Sequence, residues 1–256
     1  MAEISKKIVG MLVGLGTGDD IINRWSKAEI EIISEIMDEK GGIDDKTFNI
    51  VLLGRYFDSI EYLHDYPCYL KILADHPEAV VEPRKAAAEI TIIDMYNILR
   101  QLIFIVCGPS RFNRAINLAK LSHVDKDCSN MSILLIEMFR FIISNPGQPI
   151  SANYKNIIPK CSEYIDVTER FTRFMREFES PYIKPCETIY DYLVTIMFIH
   201  DTEFTSSNVD LSIIRERYKD FPLLEMLIGA CRGIENVHGR DSTYLKKIVD
   251  LIAKLA

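Results

Sequence analysis

Glycine and proline are both scarce, at 12 and 10 of 256 residues. No Asn-Gly or Asp-Gly pair is present to turn a hairpin. A chain of many short strands needs such turns, so the sequence argues against an all-β sandwich or barrel. The six cysteines, Cys68, Cys107, Cys128, Cys161, Cys186 and Cys231, include no C-x-x-C pair. That removes the usual zinc-ribbon and dithiol signatures. Scattered through apolar segments, they read as reduced, buried thiols of an intracellular protein in a reducing compartment such as the cytoplasm. The N-terminal apolar run over 8–15 is too short to cross a bilayer, and Glu3 spoils the basic start of a secretory signal. The patterns G-x-S-x-G, H-E-x-x-H and the P-loop are all absent. No local signature therefore marks a serine nucleophile, a protease zinc or a nucleotide phosphate.

What the chain does have is apolar material at helical spacing. Hydrophobic residues make up 48% and charged residues 26% of the sequence, the balance of a globular protein able to bury a core. The net charge of −7 argues against a surface dominated by phosphate binding. Charge is unevenly placed. Residues 1–66 carry 7 basic and 13 acidic side chains, while 67–123 carry 7 and 5 and form the net basic portion.

The segment 83–108 reads as the spine. Pro83 suits a first helical turn, Gly108 with Pro109 ends it, and 102–107 is apolar on every side. A helix of that kind must be enclosed, so it is expected at the centre of the fold. A capping box, Ser26-Lys27-Ala28-Glu29, opens a helix closed by Gly41-Gly42. Further helices are expected over 44–63, 131–143, 187–200 and 166–178. Others surround Ile213, follow Pro222 and follow Asp241. The first residues, 1–18, are expected to form a short helix or arm packed on the body or on a neighbour. Asn145-Pro146-Gly147-Gln148-Pro149 is the strongest breaker, and the chain reads as loop from there to Pro159. The expected architecture is all-α: an N-terminal helical lobe (1–145), a linker (146–159) and a C-terminal helical lobe (160–256). It holds about ten to twelve helices around the buried central one.

Chemistry-bearing residues are present without chemistry-bearing spacing. His64 and Cys68 lie about one turn apart, but Pro67 intervenes and no fourth metal ligand follows. His123, His200 and His238 stand alone, and Cys107, Cys128 or Cys231 could meet a histidine only through tertiary folding. A deep polar pocket holding a histidine or cysteine would be the mark of such an enzyme. The pairs Asp19-Asp20 and Asp44-Asp45 precede helical patterns, where acids favour the helix dipole. Gly10, Gly14, Gly16 and Gly18 precede Asp19 and Asp20, which would repel phosphate. These glycines read as a loop or as points of close packing.

Basic side chains next to aromatics, Arg111, Arg114 and Lys120 with Phe112, and Arg170 and Arg173 with Phe171 and Phe174, are the candidates for nucleic-acid binding. Glu169, Glu177 and Glu179 can neutralise the second set along its helix. Lys6 and Lys7 ahead of the first apolar run would support only weak contact with a membrane surface. The candidates for self-association are Ile8, Met11, Leu12 and Leu15 at one end and Ile248, Ile252 and Leu255 at the other. The sequence thus leads to a non-enzymatic, self-associating helical structural or assembly protein with no cofactor and no metal, working as a homo-oligomer. By architectural analogy alone it is similar to viral matrix and capsid subunits, which would place it in a virion if viral. An RNA-binding nucleoprotein with a basic groove between the lobes, and a helical protein-protein interaction adaptor, are the alternatives.

Overall fold

The computed structural model describes residues 3–17, 30, 34, 126–157, 189–206 and 208–255. The helices expected over 44–63, 83–108 and 166–178 lie outside the described residues. So do Arg111, Arg114, Lys120, Arg170 and Arg173. All regular structure among the described residues is helical, with no strand. Seven α-helices are seen: α1 (Glu3–Leu15), α2 (Lys126–Ser144), α3 (Ile150–Ile157), α4 (Ile189–Ile199), α5 (Leu211–Arg217), α6 (Leu224–Arg232) and α7 (Ser242–Leu255). A π-helical turn (His200–Phe204) continues α4 without a break, and a 3-10 turn (Ile234–Asn236) follows α6. Among the described residues no helix is long and apolar enough to cross a membrane.

Of these, α6 is the helix enclosed by its neighbours. Leu224, Met226, Leu227, Ile228, Gly229 and Ala230 are all buried, and α1, α2 and the 3-10 turn pack on it. The N-terminal helix docks on the chain's own body. It lies along α6 so closely that glycines face backbone. A Cβ on Gly10 would sit 2.8 Å from the Gly229 carbonyl oxygen, and one on Gly14 or Gly229 would overlap the facing main chain outright. Close packing, and not phosphate, explains Gly10 and Gly14. Val9, Met11, Leu12, Val13 and Leu15 are consequently buried at 5% exposure or less. Phe139 and Ile142 of α2, Ile196 and Ile199 of α4, and Ile248 and Leu251 of α7 are likewise close to fully buried.

Local side-chain caps set two of the helix starts. Asp210 caps α5 by accepting from the Ser212 backbone N–H at 2.9 Å. Asp241 caps α7 by accepting from the backbone N–H groups of Thr243 and Tyr244 at 2.9 and 3.2 Å. The start of α3 is set differently. The stretch after Pro149, expected as loop, is the helix α3. The carboxylate of Asp201, fifty residues away in sequence, accepts from the N–H groups of Ile150 at 2.6 Å and Ser151 at 2.8 Å. The cap is tertiary, so no local pattern announces it. Described residues from both sides of the expected linker also meet, since α1 packs on α6 and α7.

Candidate functional site

Among the described residues the π turn is an irregular element held by several side-chain hydrogen bonds. Such turns widen a helix by one residue and recur at functional sites. Asp201 reaches α3, as above. The Glu203 carboxylate accepts from the Tyr218 hydroxyl at 2.7 Å and from Arg217. Thr202 and Thr205 hydroxyls donate back to the carbonyls of Phe198 and Asp201 at 2.8 and 2.9 Å. Widening turns His200 and Phe204 inward, where both are buried. His200 is 1% exposed, and its Nδ1 lies 2.9 Å from Asp201 Oδ1. A carboxylate on Nδ1 orients the ring and leaves Nε2 as the nitrogen able to meet something else. Burial opposes ionisation of Asp201, but hydrogen bonds from His200, Ser151 and Ile150 outweigh it and hold the carboxyl below its ordinary value.

Beside this turn is a cavity of about 220 Å³, walled by Ile142 of α2, Gly147 of the following turn, His200, Phe204, Cys231 and Arg232. Gly147 closes one side at φ 78°. A side chain there would be strained by that backbone conformation, although its Cβ would make only ordinary contact with the Thr205 carbonyl oxygen at 3.6 Å. Arg232 Nη2 donates to the Ser206 carbonyl at 2.7 Å, and its guanidinium lies 5.8 Å from the centre of the Phe204 ring.

A histidine held by a carboxylate, with a cysteine on the same cavity wall, matches the residue types of a thiol nucleophile and its base. The electrostatics run the other way. Burial pushes the Cys231 thiol well above its ordinary value, and the positive charges of Arg232 and Lys7 only partly offset that. Cys231 also sits in the last turn of α6, where carbonyl dipoles disfavour a thiolate. Reactive cysteines are found at helix N-termini with the reverse polarity. Cys231 is a protonated wall of the cavity.

The residues named from sequence distribute differently from this site. Met11, Leu12, Leu15 and Ile248 are buried within the chain itself, and Ile8 and Ile252 are half-buried. Leu255 ends α7. His238 is exposed, while His200 and Cys231, which stood alone in sequence, come to one cavity. Sequence reasoning missed Asp201 and Arg232. The His200-Asp201 dipeptide was a local signal, but nothing local shows that this helix widens there. Among the described residues no group of three His, Cys, Asp or Glu side chains could hold a metal ion. No family model, curated protein or solved structure matches the chain.

Proposed function

We propose that the protein is a helical structural or assembly subunit that associates with copies of itself and carries out no reaction. The observation that supports this reading is the backbone-to-backbone seating of α1 on α6 at Gly10, Gly14 and Gly229. It welds the N-terminal helix to the C-terminal part of the chain as one stiff unit, the property a building block requires. The same contact relocates the association surface. Met11, Leu12, Leu15 and Ile248 serve the core, so copies meet through outward faces of the helices. Exposed Ile4 and Ile213 are single side chains of the kind any surface carries and do not by themselves form such a face. The arrangement of about ten to twelve helices in two lobes around 83–108 belongs to this proposal.

Light scattering of the full chain across a wide concentration range tests it, read together with the ratio of nucleic-acid to protein absorbance. A defined oligomer free of nucleic acid is the expected result. A monomer at every concentration overturns the reading, and a monomer that carries RNA turns attention to Arg111, Arg114, Lys120, Arg170 and Arg173.

A further inference from the structure

Asp201 does for α3 what a local N-cap does for α5 and α7, but with one titratable group joining two distant segments. Its oxygens take separate donors, Oδ1 the Ile150 N–H at 2.6 Å and Oδ2 the Ser151 N–H at 2.8 Å. Unpaired N–H groups and the dipole of a helix start favour a carboxylate there, and the attraction depends on its negative charge. A protonated carboxyl puts an O–H where an acceptor stood and weakens the bonds that remain. Packing on α3 is light. The helix is eight residues long, a length that is marginal without outside support. Ile150 and Ile157 are buried, whereas Ser151, Ala152 and Asn156 are exposed. Segments with few buried contacts open before a core does, and α6 belongs to that core.

The groups that act on the Asp201 carboxyl are His200 in its own turn and Ser151 and Ile150 of α3. Tyr154 of α3 is not among them. The charged groups of the other helices around the turn are engaged elsewhere. Arg217 and Tyr218 of α5 bond to Glu203. On α6, Arg232 donates to the Ser206 carbonyl, and burial keeps the Cys231 thiol protonated. Glu137 and Arg140 of α2 face each other at 3.2 Å. Titration of His200 leaves the cap in place, because Nδ1 carries the hydrogen that an ionised Asp201 accepts whether the ring is neutral or charged. The Asp201 side chain is 15% exposed, so water and protons reach it. We propose that Asp201 is an acid-operated latch: while ionised it keeps α3 docked on the π turn, and its protonation frees α3 while α1 and α6 stay packed. Its hydrogen bonds hold the carboxyl below the ordinary value of 3.8. The latch is therefore closed above that pH and opens as the pH falls through the lower value of the folded state. It does not depend on how the chain associates with itself.

Amide hydrogen exchange of the full chain tests it, followed by NMR from about pH 7 to about pH 2 and expressed as protection relative to unstructured peptide. Protection of the Ile150 and Ser151 amides should fall by about tenfold or more below pH 3.8, the scale of lost charge-assisted hydrogen bonds. Leu227 and Ile228 of α6 should keep theirs through the same step. Asp201→Asn, which fixes the side chain as neutral, should show the weakened α3 at neutral pH and no further step on acidification. Parallel loss of protection in α3 and α6 means global unfolding and overturns the proposal, as does an α3 that stays protected to the lowest pH. A step that starts well above pH 3.8 assigns the event to another group and overturns it too. These readings come from the unmodified chain, so the test does not rely on the variant folding. An Asp201→Asn chain whose α3 is as protected as the wild type at neutral pH also overturns it.

Discussion

Asp201 shows how much one side chain can organise. It caps α3, orients His200 and receives Thr205 on its carbonyl. Replacing it by alanine should destabilise the protein by about 2 kcal/mol, somewhat more than an ordinary cap, because His200 loses its partner too. Urea unfolding measures this. The carboxyl is held below its unfolded value of 3.8, so its contribution is complete above that pH. It fades as the pH falls through the lower value of the folded state. The stability difference between the wild type and Asp201→Asn should therefore be constant near neutrality and shrink below about pH 4. A difference that grows on acidification would contradict the assignment.

Gly229 provides the second test at this scale. Alanine is favoured over glycine inside a helix by about 1 kcal/mol, so a freely exposed Gly229→Ala would stabilise. Here the added methyl meets the backbone of α1, which cannot rotate away. Overpacking of about 1–3 kcal/mol or more then exceeds the propensity gain. Thermal denaturation should show Gly229→Ala less stable than the wild type.

Among the helices, α5 and α6 are joined by a half-buried ion pair. Arg215 Nε donates to Glu225 Oε1 at 2.5 Å and its Nη2 to Oε2 at 3.2 Å, with both side chains 18% exposed. Arg215 also donates to the Asn236 carbonyl, and Glu225 accepts from the His238 backbone N–H. Four hydrogen bonds thus depend on two side chains. Arg215→Ala should lose about 2–3 kcal/mol, below the cost of breaking a fully buried pair because water reaches this one. The double variant with Glu225→Ala should be less harmful than the two singles summed, since the second change removes an unpaired charge. The surface pair Lys6–Glu235, 38% and 54% exposed, is screened by water, and its loss should be hard to detect.

At the scale of the whole molecule, deletion of 1–18 distinguishes an exchangeable arm from a core helix. Five apolar side chains of α1 are buried at 5% or less, each worth about 1.5–3 kcal/mol. Together they rival the net stability of about 5–15 kcal/mol typical of a folded domain. The truncated chain should therefore fail to fold, as read by near-ultraviolet circular dichroism. A folded truncated monomer would show that α1 is an arm after all.

The helical character, the helices around Ile213 and after Asp241, and the apolar helix expected over 187–200 and seen as α4 were legible in the sequence. The cap at position 241 and apolar spacing act within a few residues of the backbone they shape. Gly10 and Gly14 were legible as loop or close-packing positions, but the choice between these and the partner Gly229 were not, since helix crossings leave no local trace. Nor could the sequence show that α3 is a helix, that α4 widens into a π turn, or that His200, Cys231 and Arg232 share a cavity. Each depends on groups brought together from distant parts of the chain, as with the Asp201 carboxylate and the two N–H groups beginning at Ile150. Apart from α3, local hydrophobic pattern determined which of the described segments coil, and only tertiary packing decided which polar groups those coils bring face to face.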